Sequence, residues 1–267
     1  MKIIIIGGIA AGMSAAAKFR RLDKDAEIKV YEKTPIVSFG ACGLPYFVGG
    51  FFDNENQMIA RKPEKFKETG IDISVEHEVL SIDVPSKKIT VKNLKTDETF
   101  EDSYDKLMIA TGASAIIPPI KNFNIENVYT LKSLEDGRIL KEKMKDKDIK
   151  KVAIIGAGFI GLEAVEAAKE YGKEVSVFQL EDRILKEVFD KEVTDLLEEE
   201  LKNKGVNLFL DSKVVELKGN IKVTKVVTEN EEIDADLVIL ATGVKPNTAF
   251  LKDTGIEMLK NGAIVVD

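Results

Sequence analysis

The sequence has one cysteine, Cys42, and one histidine, His77, in 267 residues. A single cysteine excludes an intramolecular disulfide, and so few nitrogen and sulfur ligands argue against a zinc site, so no metal ligand is assigned. His77 lies in "SVEHEVLSID", which alternates like a strand, and is read as structural. No charged-then-apolar leader follows Met1, and no apolar run approaches the ~20 residues that span a bilayer. A cytoplasmic protein without a membrane partner is therefore expected. The formal charge is −7 and the basic residues are scattered among acids, so no footprint for nucleic acid is visible. What is present is 44% hydrophobic residues, enough for a substantial core in one or two domains.

The chain repeats itself. "KIIIIGGIAAGMSAAAKFRRLDKDAEIKVYEK" at the start and "KVAIIGAGFIGLEAVEAAKEYGKEVSVFQLE" from Lys151 each read as apolar strand, glycine turn, small-residue helix and second strand. Each is followed by a β-meander pattern and then by a matching closure, "YDKLMIATGASAIIP" or "ADLVILATGVKPNT". The expected fold class is α/β, with two Rossmann-like dinucleotide-binding domains, each a parallel sheet with a β-meander.

Glycines in such a turn allow the tight bend, the approach of backbone to a pyrophosphate and close packing of helix on sheet. Gly156, Gly158 and Gly161 fill all three positions in the second repeat; in the first, Gly7 and Gly12 hold the outer ones and Ile9, beside Gly8, replaces the middle one. Glu32 closes the following strand, where a carboxylate accepts bonds from ribose hydroxyls. Candidate contacts to the first nucleotide are Gly7, Gly8, Ile9, Ala10, Ala11, Gly12, Glu32, Lys33, Val79 and the closure Ala110, Thr111 and Gly112. For the second they are Gly156, Gly158, Ile160, Gly161, Gln179 and the closure Ala241, Thr242 and Gly243. Two sites suggest two dinucleotides, FAD held permanently and NADH or NADPH visiting reversibly, with a thiol as the natural next electron acceptor.

The glycine motif, "SFGACGLPY", "YDKLMIATGA", "GAGFIGLEAVEAA" and "ATGVKPNT", in that order, resemble the flavin-dependent pyridine nucleotide-disulfide oxidoreductases. The match is to the single-cysteine branch that contains coenzyme A disulfide reductases, NADH oxidases and NADH peroxidases. The resemblance implies an FAD domain over residues 1–112, an NAD(P)H domain over 113–243, and a return towards the FAD domain over 244–267. It implies that Cys42 is the catalytic redox cysteine, cycling between a thiolate and a mixed disulfide or sulfenic acid. A small-residue stretch entering a helix would favour that thiolate through N–H groups and the dipole. Phe159 falls where the family has an aromatic gate over the nicotinamide, and Glu163 where it has an acid near the flavin. Ser14, Lys18, Arg21 and Ser38 fall where coenzyme A disulfide reductases contact coenzyme A, and Lys18 and Arg21 suit phosphate. The implied activity is hydride transfer from NAD(P)H through flavin to Cys42, which reduces coenzyme A disulfide or a related small disulfide or polysulfide.

Departures from the family pattern keep alternatives open. Ala41 replaces an asparagine before the cysteine, removing one polar substrate contact. Ala10 stands where oxidases and peroxidases often carry histidine, which makes an NADH oxidase or peroxidase with a Cys42 sulfenic acid the second expectation. Gln179 stands where a carboxylate would favour NADH and a base NADPH, and Glu181 nearby tilts the balance towards NADH. Family members continue past "NGAIVVD" into a second flavin motif and a dimerisation domain. The 267 residues are accordingly expected to be a truncated form, monomeric where the family is homodimeric, and in a third expectation a nucleotide-binding module with little turnover.

Overall fold

The isoleucine run Lys2–Ile6 has no polar alternation and cannot leave one face in water. The computed structural model, which describes residues 1–266, buries it as β1 within a parallel sheet. There β1 lies between β2 (Glu27–Glu32) and β7 (Lys106–Ile109), and β2 also pairs with β3 (Ile71–Val75). The helix α1 (Ala10–Leu22) connects β1 to β2 and buries Met13 and Ala16 against Ile3, Ile5, Ile28 and Val30. Phe66 of α3 (Pro63–Lys67) joins the same layer. Ile4, Ile6 and Tyr31 pack instead with Val79, Ile82, Ile89 and Val91 of an antiparallel meander, β4 (His77–Asp83), β5 (Lys88–Asn93) and β6 (Thr99–Ser103). Helix, parallel sheet and meander thus form three layers around two apolar interfaces. His77 is part of this packing: Nδ1 lies 2.7 Å from the Val75 carbonyl oxygen and the ring sits against Tyr31 and Phe100.

The second repeat builds the same plan with one more strand. Its parallel sheet holds β9 (Val128–Thr130), β10 (Lys151–Ile155), β11 (Glu174–Phe178), β12 (Val206–Phe209) and β16 (Leu237–Leu240) in the order β12-β11-β10-β16-β9. Buried Gly161, Ala164, Val165, Ala167 and Ala168 let α5 (Phe159–Glu170) sit close to this sheet. Two further helices are α4 (Leu134–Lys145), begun by a Ser133 and Asp136 capping box, and α6 (Lys191–Asn203). A meander of β13 (Val214–Lys218), β14 (Lys225–Thr228) and β15 (Glu232–Asp234) contributes Leu217 and Val226 to a core with Ile155, Phe178 and Leu240. Both sheets are parallel and both meanders antiparallel, the α/β class expected from the repeats.

The chain divides into two compact units: 1–40, 55–114 and Lys245 onward, and 41–54 with 115–244. The segment Ala41–Asn54, placed by its sequence position with residues 1–112, groups with the second unit. There the short helix α2 (Leu44–Val48) packs on α4 and α5. Gly137 leaves the gap that Leu44 fills, since a Cβ on it would lie 2.6 Å from Leu44 Cδ2. Where the chain passes between units, β8 (Ala113–Ala115) and β17 (Val244–Pro246) pair. Among the described residues no helix is long and apolar enough to cross a membrane.

Candidate functional site

The glycines of the two turns fall into two groups. Gly7 and Gly156 have φ of +102° and +104°, and a Cβ would meet the carbonyl oxygens of Ala110 and Ala241 at 2.2 and 2.4 Å. A Cβ on Gly12 or Gly161 would lie 1.9 or 2.0 Å from the oxygen of Gly7 or Gly156. These four are dictated by backbone packing. Gly158 is different: it is exposed, and a Cβ there would meet nothing within 4 Å, so the space before α5 is open. In the first unit half-buried Ile9 takes that place at the start of α1, followed by exposed Ala10 and Ala11. Neither α1 nor α5 has a side-chain cap or an acid in its first turn. Their first N–H groups and positive dipole ends therefore remain available to an anion.

At the end of β2, Glu32 is 5% exposed and held from both sides. Its Oε2 accepts from the Gly8 N–H at 2.7 Å and its Oε1 from the Thr34 N–H at 2.8 Å. Each oxygen keeps a second lone pair for a hydroxyl donor. At the end of β11 the corresponding group is Gln179, whose Oε1 accepts from the Ala157 N–H at 2.7 Å while Nε2 donates to the Glu181 carboxylate. Lys33 is exposed beside Glu32.

The closures are also alike. Ala110 and Ala241 donate their N–H groups to Ile6 and Ile155 at 2.7 and 2.8 Å, and Gly112 and Gly243 turn the chain at φ of +64° and +98°. Asn247 braces the first closure: Nδ2 donates to the Thr111 carbonyl at 3.0 Å and its own carbonyl accepts from Thr111 Oγ1 at 2.8 Å. Thr242 Oγ1 donates to the Ile116 carbonyl in the second. Asn247 was not singled out from the sequence, where its place in "ATGVKPNT" has no polar counterpart to reveal the brace.

Other candidates are placed as follows. The Val79 side chain is 8% exposed and belongs to the core opposite Val91. Phe159 is 55% exposed, its ring edge-on to Phe189 at 6.1 Å, and Ile160 is half-buried beside it. Glu163 is half-buried, and burial followed by the charge of Glu166 raises its carboxyl above the ordinary range. Ser14, Lys18 and Arg21 recur at helical spacing on the exposed face of α1. Ser38 adopts φ +55°, with its N–H bonded to the Gly8 carbonyl at 2.8 Å.

Cys42 is exposed, in the 3-10 turn Ala41–Gly43 that leads into α2. That helix has only five residues, so the dipole expected from the sequence is that of little more than one turn. The segment is instead secured from its far end by Lys141 of α4, 5% exposed. Its Nζ lies 4.3 Å from the Phe47 ring centroid, donates to the Phe52 carbonyl at 2.6 Å and pairs with Asp53 at 2.8 Å. Lys141 was not singled out in the sequence, where it is one of four basic residues in "LEDGRILKEKMK".

Residues 1–267 match the family described as pyridine nucleotide-disulphide oxidoreductase. The chain is 41% identical over 269 residues to an NADH oxidase of Enterococcus faecalis, covering all of this chain and 60% of that protein. It is 40% identical to an NAD(P)H coenzyme A polysulfide/persulfide reductase of Pyrococcus horikoshii, covering 98% of this chain and 58% of that one. A solved NAD-dependent persulfide reductase from A. fulgidus superposes with a TM-score of 0.94 at 37% identity, covering all of this chain and 50% of that chain. The chain thus spans about 60% of the length of the curated relatives it matches. The chain belongs to the pyridine nucleotide-disulphide oxidoreductase family.

Proposed function

We propose that these two units belong to an NAD(P)H-dependent flavoprotein that reduces small disulfides or persulfides, coenzyme A disulfide among them, through Cys42. The observation that carries this is an exposed, solitary thiol in a chain whose two units each present an uncapped helix behind an obligatory glycine turn. The first turn suits FAD: α1 offers unpaired N–H groups to a pyrophosphate, and Glu32 keeps lone pairs for ribose hydroxyls. The second suits NADH or NADPH, since the open face of Gly158 admits phosphate against α5. Bound FAD supplies a two-electron relay between a nicotinamide hydride and a sulfur acceptor.

The protein's own part in the chemistry is at sulfur. A Cys42 thiolate attacks one sulfur of RSSR, forming Cys42–S–S–R and releasing RS⁻. Two electrons and a proton then restore the thiolate and release RSH. The overall balance is NAD(P)H + H⁺ + RSSR giving NAD(P)⁺ + 2 RSH. Lys18 and Arg21 carry the positive charge that a phosphorylated R group such as coenzyme A needs, with Ser14 and Ser38 as hydroxyl partners. A working thiol belongs in a reducing compartment, so we place the protein in the cytoplasm. No nucleic acid or membrane partner is proposed.

The test is Cys42→Ser in the purified protein supplied with FAD. Flavin should still bleach on anaerobic addition of NADH, while NADH-dependent cleavage of coenzyme A disulfide disappears; retained cleavage overturns the role of Cys42. The likeness to the E. faecalis NADH oxidase favours a second reading, oxygen or peroxide reduction through a Cys42 sulfenic acid. Ala10 offers only a methyl group at the helix start, with no imidazole to polarise a peroxide oxygen. Two NADH oxidised per O2 reduced to water, or one NADH per peroxide consumed, unaffected by added disulfide and lost in Cys42→Ser, would select it.

A further inference from the structure

We infer that Glu181, captured by the side-chain amide of Gln179, makes the second unit select NADH against NADPH. This rests on the proposal that this unit is the nicotinamide-nucleotide site. A glutamine at the end of β11 looks indifferent, since a free amide bonds ribose hydroxyls without repelling a 2′-phosphate. Here the amide is not free. The Ala157 N–H is a donor and faces Gln179 at 2.7 Å, so the atom turned towards it is the acceptor Oε1. The NH₂ group must then point the other way with only protons to offer, and the group that receives one is the Glu181 carboxylate. A backbone amide thus fixes the sense of a two-step relay that ends in a negative charge. A carboxylate at 179 would bond Ala157 equally well but would repel Glu181.

The surroundings keep that charge in place, and the nearby Lys186 is paired directly with Asp182 rather than with Glu181. Main-chain bonds anchor both residues: Gln179 donates to the Phe209 carbonyl and accepts from Ser212, and the Glu181 carbonyl accepts from Asp211. The two cations of the same loop are engaged elsewhere. Arg183 donates to the carbonyls of Phe189 and Lys186 at 2.8 and 2.9 Å and to Thr194 Oγ1 at 3.3 Å, while Lys186 pairs with Asp182 at 2.7 Å. A 2′-phosphate arriving at this strand end meets a fixed carboxylate and no unengaged cation from the loop, whereas a 2′-hydroxyl can donate to that carboxylate.

Calorimetric titration with NADH and with NADPH tests this without turnover. The wild type should bind NADH at least about tenfold more tightly. Glu181→Gln keeps an acceptor for Gln179 but removes the charge; it should tighten NADPH about fivefold or more and leave NADH within about twofold. Gln179→Leu should lower the selectivity as well, since the carboxylate loses its tether. Equal wild-type affinities, or a ratio unchanged in Glu181→Gln, overturn the inference. Failure of both nucleotides to bind the folded wild type is a different result: it removes the nicotinamide site itself, and the selectivity with it.

Discussion

Glu32 and Gly8 are joined by a buried 2.7 Å hydrogen bond from the glycine amide to Oε2, and the other carboxylate oxygen accepts from Thr34 at 2.8 Å. A carboxylate has an acceptor for each of these donors. Glu32→Gln would turn an NH₂ towards one of the two N–H donors and leave it unpaired, at a cost of about 1–3 kcal/mol. Gln179 escapes this penalty because one N–H faces its Oε1 and a carboxylate faces its Nε2. We expect Glu32→Gln to melt several degrees lower in a thermal scan and to bind added FAD at least about tenfold more weakly. An unchanged melting temperature with wild-type FAD affinity would remove Glu32 from both roles.

The two kinds of glycine make opposite predictions. In Gly161→Ala the new methyl must occupy space 2.0 Å from the Gly156 oxygen, which forces α5 off its sheet. Overpacking against backbone costs about 1–3 kcal/mol or more, so this variant should lose solubility or melt markedly lower. In Gly158→Ala nothing within 4 Å obstructs the methyl and φ is −81°, which alanine adopts freely. It should fold with a wild-type melting temperature yet bind NADH much more weakly, because the methyl fills the space left for phosphate. Unimpaired NADH binding by Gly158→Ala would show that the open face is not where the nucleotide lies.

These positions also show why some features were legible in the sequence. Gly7 and Gly12, like Gly156 and Gly161, are five residues apart, and each contact they permit lies within its own βαβ unit or its closing strand, so spacing alone announces them. The isoleucines of β1 and the twin ATG closures declare parallel, doubly buried strands for the same local reason. The setting of Cys42 depends on Gly137 and Lys141, roughly a hundred positions away on a helix whose polar sequence gives no sign of a buried ammonium. The orientation of Gln179 depends on a backbone amide twenty-two positions earlier, which no side-chain pattern encodes. The exposure of Cys42 depends on how the 3-10 turn Ala41–Gly43 is presented, which the small residues around it do not encode.

Lys141 gives a test of how the cysteine segment is held. Asp53, its carboxylate partner, is open to water, so the ion pair contributes little; the Phe52 carbonyl and the Phe47 ring are the consequential contacts. Lys141→Met keeps the aliphatic stem but loses both, which should destabilise the protein by about 1–3 kcal/mol. The effect should also reach Cys42, since α2 loses its anchor at the far end. Alkylation of Cys42 by iodoacetamide, measured well below the melting transition, should change in rate in Lys141→Met and be largely restored in Lys141→Arg. An unaltered rate would mean that the packing of Leu44 at Gly137 suffices to hold the segment.

Asp102 sets a pH dependence with a definite sign. Burial alone would raise its carboxyl, but hydrogen bonds from Lys2 at 2.5 Å and from the Tyr31 hydroxyl at 2.7 Å outweigh it and hold the group below its ordinary value of 3.8. A lowered carboxyl contributes stability that is present above the ordinary value and lost as pH falls through the lowered one. Tyr31 behaves oppositely: burial, then its bond to Asp102, raises its hydroxyl, so its contribution is present below 10 and lost as pH rises through the raised value. Asp102→Asn should therefore cost about 1–3 kcal/mol at neutral pH, and the difference from wild type should shrink through the carboxylate range in acid denaturation profiles. Tyr31→Phe should flatten the alkaline limb while leaving Asp102 paired with Lys2. A constant gap between Asp102→Asn and wild type from pH 7 down through the acid transition would show that the β2 to β6 tie is held by packing of Tyr31 on Phe100 rather than by the ionised carboxylate.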